Sequence, residues 1–227
     1  MNKISGVTAK YRENYADRIS QHNGELFDSP YVWQFAPDDL PLDPRKKLPG
    51  CKRTLLEIGF GHGEVLEELV SQHPEIGFVG IERRSMRVNK TLKRLHRLSV
   101  NNVFLLRLNL ELLNRNLFSA DSFDEILVNH PDPWPRERHE HRRFFSNEIL
   151  DWMVFILKLG GSVDIASDHT EYFFTILRLF EGHPRFESGL LPPFYVDESP
   201  PGRPASRFER KKRAAGSKVR LMRFVKK

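Results

Sequence analysis

Cysteine is almost missing from this sequence: Cys51 is the single one among 227 residues. That excludes an intrachain disulfide framework and suits a reducing compartment. Nowhere does the chain approach the roughly 18 uninterrupted apolar residues that a membrane-spanning helix needs. The opening MNKISGVTAKYRENYADRI also lacks the apolar centre of a secretion signal. The expectation is a soluble, cytoplasmic protein. A large excess of either charge is missing too, with 36 Lys and Arg against 30 Asp and Glu and a formal net charge of +6. Its distribution is uneven. Residues 203–227 hold eleven basic side chains and one acid, Glu209, so that segment carries +10 and leaves −4 for the other residues. Such segregation suits a polyanionic partner, the plainer alternative being a solvated terminus.

Residues 1–50 are rich in proline, aspartate and aromatic side chains without a sustained period, and read as an arm or cap on a domain spanning 51–227. From Arg53 the pattern becomes regular. RTLLEI is a short apolar run ending at a glycine cluster, and Val65, Leu66, Leu69 and Val70 then recur at helical spacing. FVGIE at 78–82, VFLLR at 103–107, FDEILV at 123–128 and SVDIA at 162–166 read as further strands. A basic helix is expected from about Arg83 to Leu98, and another helix from Arg142 to Leu159, stopped by Gly160-Gly161. KVRLMRFV near the end reads as a late strand after a proline-rich loop. Strands alternating with helices predict a doubly wound α/β domain whose ligands bind beyond the C-terminal ends of a mostly parallel sheet.

The first loop carries the clearest chemistry. Glu57-Ile58-Gly59-Phe60-Gly61-His62-Gly63 is E-x-G-x-G-x-G, where glycines allow a sharp turn and close approach of a ligand. A dinucleotide fingerprint would be G-x-G-x-x-G. Here the third glycine comes one residue early, and the Glu57 carboxylate would repel a pyrophosphate. It would suit a cationic or zwitterionic ligand instead. Glu82 ends the second strand, where an acid can take the two hydroxyls of a ribose. A nucleoside with a positive centre describes S-adenosylmethionine better than a nicotinamide cofactor, so a dehydrogenase is the weaker reading.

The fourth strand runs into Asn129-His130-Pro131-Asp132-Pro133-Trp134-Pro135. Prolines on both sides of Asp132 restrict the backbone and so aim its carboxylate, although an ordinary rigid turn would look the same. His130, His139 and His141 lack the spacing of a metal site. On the helix after Glu82, Arg83, Arg87, Lys90, Arg94 and Arg97 share one face and Val88, Leu92 and Leu95 the other. No acid lies between 83 and 97, so this side reads as a second phosphate-facing surface.

In order and spacing, EIGFGHGEVL, VNHPDPWPRERHEHRR, IASDHTEY and GRPASRFE resemble the bacterial tRNA (guanine-N7-)-methyltransferases, over about residues 53–210. The resemblance implies a Rossmann-like class I methyltransferase fold with a seven-stranded, mostly parallel sheet and helices on both faces. It also implies transfer of a methyl group from S-adenosylmethionine to N7 of a guanosine in the tRNA variable loop, position 46. It places Glu57, Glu82 and Asn109 with the glycines Gly59, Gly61 and Gly63 at the cofactor, Asp132 as catalytic acid, and Arg136 and Asp168 at the substrate. Ser206, Arg207, Phe208 and Glu209 fall on a T-x-F/Y-E substrate motif. Asn109 stands where the family usually has Asp, His130 replaces an aromatic residue, Arg136 a lysine, His169 a tryptophan and Ser206 a threonine. The rival within this resemblance is an RNA-binding relative that has lost activity.

Overall fold

The structure is a computed structural model, and it describes Tyr15, Asp17, residues 28–134 and residues 136–227. Half of the expected arm, residues 1–14, 16 and 18–27, and Pro135 lie outside the described residues. Seven strands form one sheet: β1 (Arg53–Ile58), β2 (Ile76–Glu82), β3 (Val103–Arg107), β4 (Phe123–Asn129), β5 (Leu157–Ser167), β6 (Phe186–Ser188) and β7 (Arg220–Lys226). Their order is β3-β2-β1-β4-β5-β7-β6. The first five pair in parallel, and β7 runs antiparallel between β5 and β6. Strand order reverses at β1, and the crevice beyond β1 and β4 is where such a sheet receives a ligand.

Alternating side chains divide the core between the two faces. Leu55, Phe78, Leu105 and Leu127 face one way and pack with Val65, Leu66, Val70, Val88, Leu92 and Leu95. Those six come from helices α2 (Glu64–Gln72) and α3 (Ser85–Leu98), following the short helix α1 (Pro44–Lys47). Leu56, Val79, Leu106, Ile126, Val163 and Phe224 face the other way. They meet Leu150, Met153, Phe173, Ile176 and Phe180, from α4 (Asn147–Ile156) and α5 (Thr170–Glu181). Residues 28–50 contribute to both layers: Tyr31 and Val32 join the first, and Trp33, Leu40 and Leu42 the second.

One expected element differs. The helix expected over Arg142–Leu159 is a 3-10 segment at Glu137–Arg142, then α4, and its last residues already belong to β5. Phe123 pairs with Leu157 and Glu125 with Ser162, so four residues of β5 oppose one of β4. Gly160, at φ +75°, lets that bulge turn, and Lys158 fastens it by pairing with Asp124 at 2.8 Å. Gly160-Gly161 therefore bends a strand and does not end a helix. Helix α6 (Arg207–Ala214), inside the basic C-terminal segment, and α5 are elements that the sequence pattern did not announce.

Candidate active site

Glu57 is the last residue but one of β1, just before the glycine loop, and is only 2% exposed. Gly59, Gly61 and Gly63 all have positive φ, which is why the loop can turn there; a Cβ on Gly59 would meet nothing within 4 Å. The side above Gly59 is open. Gly63 does a different job: its missing Cβ lets Thr91 of α3 approach, since that Cβ would lie 2.4 Å from Thr91 Cγ2. Glu82 closes the other side. Its carboxylate accepts from the Gly61 N–H at 3.1 Å and the Arg84 N–H at 2.8 Å, and Arg87 lies 3.4 Å away. A carboxylate accepting from the loop backbone retains lone pairs for hydroxyl donors. Asn109, two residues beyond β3, stands at the N-terminus of a 3-10 turn at Leu110–Leu112 without a side-chain cap hydrogen bond.

Buried polar atoms without hydrogen-bond partners cluster here. Among the described residues, Glu57 Oε2, Asn129 Nδ2 and His130 Nε2 have none. Leaving such an atom unmet costs about 1–3 kcal/mol, so a native cluster of them at a crevice implies a ligand. Burial pushes the Glu57 carboxyl up to about 7, against the opposing pull of the Asn129 side chain and the Arg203 guanidinium; Glu82 adds to the rise. A cationic ligand group would restore its charge. One buried acceptor, one buried donor, a side-chain-free loop and a second carboxylate thus fit the amino-acid and ribose parts of S-adenosylmethionine.

Beyond β4 the chain enters a constrained loop. His130 and Trp134 both have left-handed backbones, φ +51° and +42°, so Pro131-Asp132-Pro133 is held between two strained residues. Asp132 is exposed, and no hydrogen bond or ion pair links its carboxylate to a described residue. Arg136 is exposed too, on the following segment. The His130 ring is buried between two acids, with Nδ1 3.1 Å from Asp168 Oδ1 and Nε2 3.6 Å from Glu209 Oε2. Its edge meets the ring of Phe208. Burial works against the ionised Asp168, but hydrogen bonds from Lys212 and His130 outweigh it and hold the carboxyl below its ordinary range. Glu209 is 1% exposed. Burial opposes its charge as well, yet His130, Arg203 and Arg213 hold it down at about 2.

The structure thus brings Glu57, the glycine loop and Glu82 together and gathers Asp168, Phe208 and Glu209 about the His130 ring, while Asn109 follows β3 and Asp132 follows β4. Glu209 is a strut within a charged network, and Ser206 is the N-cap of α6, accepting from the Glu209 N–H at 3.0 Å. Arg207 and Phe208 are the members of that motif left facing solvent. Asn129 and Arg203 were missed as site residues. Asn129 sat next to the PDPW motif, and the signal for Arg203 was a lone arginine between Gly202 and Pro204.

The basic surfaces change composition. In the C-terminal segment, Arg203, Lys212, Arg213, Lys218, Arg220, Arg223 and Lys226 pair with acids. Arg207, Arg210, Lys211 and Lys227 make no ion pair with a described residue. On α3, Arg87 turns to Glu82 and Arg94 to Glu64 and Glu67, whereas Lys90, Lys93 and Arg97 with Arg94 line a surface depression of about 400 Å³. Glu64 joins the two surfaces, since it also accepts the Arg207 N–H at 2.6 Å.

Comparison with known proteins agrees with this fold. The model of a family described as putative methyltransferase matches residues 52–222. The 16S rRNA methyltransferase KamB superposes with a TM-score of 0.63 at 13% identity, over 87% of this chain and 97% of that one. The fold is that of the class I methyltransferases. A tRNA (guanine-N(7)-)-methyltransferase of Thermotoga maritima is 33% identical over 80% of this chain, a match that spans 56% of the Thermotoga protein. One of Leptospira interrogans is 33% identical over 72% of this chain and 74% of its own length. The Nitrosomonas europaea enzyme aligns over 95% of this chain at 28% identity. This chain belongs to the tRNA (guanine-N7-)-methyltransferase family.

Proposed function

We propose that this chain methylates N7 of a guanosine in the variable loop of tRNA, position 46, in the cytoplasm. The methyl donor is S-adenosylmethionine, which when bound supplies an electrophilic methyl group on a sulfonium centre. The observation that carries the reading is the unpaired Glu57 Oε2 beside the open glycine loop. Glu57 takes the donor's ammonium, Glu82 its ribose hydroxyls, and the Asn109 side chain lies toward the adenine end.

Guanine N7 carries a free lone pair at neutral pH, so no strong base is needed. The protein's task is alignment and stabilisation of the positive charge that develops on the purine. Asp132, fixed by its flanking prolines and uncommitted to any described cation, serves that charge. Phe208, 47% exposed, offers a ring on which an unstacked base can lie. Asp168 faces the base and Glu209 positions its neighbours, while Arg136, Arg207, Arg210 and Lys211 meet phosphates. Nothing favours the inactive rival, since Asn109 retains an amide that can contact the adenine.

Incubation with bulk tRNA and labelled S-adenosylmethionine, followed by nucleoside analysis, tests the reading. Label in 7-methylguanosine is expected. Label in another nucleoside, or none, overturns it.

A further inference from the structure

Arg203 lies in the segment before α6, yet it reaches the end of β4. Its Nη2 donates to Asn129 Oδ1 at 2.7 Å. A guanidinium has donors only, so the oxygen of the Asn129 amide must be the atom that faces it. That removes the usual ambiguity of an amide flip and directs Nδ2 away from Arg203. There Nδ2 is buried and unpaired, near enough to Glu57 to favour its charged form, although the contact stops short of a hydrogen bond. The result is one buried donor and one buried acceptor, side by side at the crevice.

The other end of the guanidinium is equally committed. Arg203 Nη1 donates to both oxygens of Glu209, at 3.0 and 2.9 Å, and Glu209 is held in turn by Arg213 Nε at 3.1 Å. The Arg203 side chain is 15% exposed. Its fork therefore spans the wall of the crevice and the helix that carries Phe208, which a lysine ammonium could not do with the same geometry.

We propose that Arg203 is a positioning residue for the cofactor: it locks the Asn129 amide with its NH₂ toward the crevice, so that Asn129 and Glu57 together recognise a zwitterionic amino-acid end. The inference rests on the reading that the crevice takes S-adenosylmethionine. The charged groups facing Glu57 are Glu82 from β2 and Arg203; those facing Arg203 are Glu57 and Glu209.

The test is a double-mutant cycle on S-adenosylhomocysteine binding, measured by calorimetry from pH 6 to 9, with melting temperatures recorded for every variant. Asn129→Leu removes the donor but leaves Arg203 on Glu209, and should weaken binding about tenfold, the worth of one hydrogen bond to a charged group. Arg203→Lys should weaken it similarly, because an ammonium cannot hold the Asn129 amide oxygen and both Glu209 oxygens with the geometry of the guanidinium fork. In the Asn129→Leu background Arg203→Lys should add little, the signature of a residue acting through another. Independent, additive losses, or unchanged binding in Asn129→Leu alone, would overturn the proposal. If the unmutated protein fails to bind S-adenosylhomocysteine at all, the cofactor reading falls and this proposal with it.

Discussion

A carboxyl group with 2% exposure and an unpaired oxygen weakens the ligand-free protein, and Glu57 is in that position. Its folded value of about 7 lies above the ordinary 4.5, so between those values the folded chain holds more protons than the unfolded one. Stability from this group is therefore full below about pH 4.5 and is lost as pH rises toward 7. The loss is at most about 3 kcal/mol. Glu57→Gln should raise the melting temperature of the ligand-free protein by several degrees at pH 8 and change it little at pH 5, while abolishing cofactor binding. Thermal melts at the two pH values check this, and an equal shift at both would mean that the carboxyl is not held neutral. Asp132 makes the opposite case, a carboxylate that nothing described neutralises. Asp132→Asn preserves shape and should lower single-turnover methyl transfer by roughly 10²–10³ while tRNA affinity stays within about twofold. Wild-type turnover would reduce Asp132 to a turn residue. Both residues were legible in the sequence, because a carboxylate before a glycine loop and one between two prolines are local patterns. Arg203 was not, because its partners Asn129 and Glu209 are brought to it by the fold.

Elements were legible where periodicity was strong and misread where one short pairing decided the outcome. Strands β1 to β4 and helices α2 and α3 follow the apolar pattern closely. The end of α4 does not, since Leu157 is apolar on either a helix or a strand, and only its pairing with Phe123 selects the strand. The bulge that follows makes a test. A Cβ on Gly161 would lie 2.9 Å from the Lys158 carbonyl oxygen and 3.1 Å from that of Asp124, both backbone atoms, whereas one on Gly50 would meet nothing within 4 Å. Gly161→Ala should destabilise by about 1–3 kcal/mol in denaturant titrations, the usual cost of overpacking. Gly50→Ala should be near neutral, and equal effects would mean that the bulge yields without strain. The T-x-F/Y-E-like motif is instructive in the same way. Ser206 caps α6 and Glu209 anchors it, so half of a stretch that resembles a substrate motif holds the helix that presents Arg207 and Phe208.

Across the whole molecule, seven of the eleven basic side chains of residues 203–227 pair with acids, five of them with acids outside that segment. What is left for a polyanion is narrower and better placed: Arg207, Arg210 and Lys211 on α6, and Lys90, Lys93 and Arg97 on α3, linked by Glu64. Replacing either trio by alanine should weaken tRNA binding and flatten the slope of log K against log salt by about 0.7–0.9 for each phosphate no longer neutralised. Methylation should remain at the same guanosine, since groups that hold phosphates position an RNA without reading its bases. Lys212 and Arg213 belong to the Asp168 and Glu209 network, and replacing them would disturb the site itself. An unchanged salt slope in both trios would show that these charges are only solvated faces.

By itself the sequence determined the alternation of strands and helices and the glycine loop with its two acids, which depend on neighbours within a few residues, and the family resemblance, which depends on the order and spacing of such local motifs. Tertiary structure alone decided which charges remain free, which way the Asn129 amide points, and that Glu209 is buried. Those outcomes depend on atoms from β4, the β5 end and the segment before α6 meeting at one place. No local pattern encodes such a meeting, because burial and pairing are properties of the assembled sheet edge.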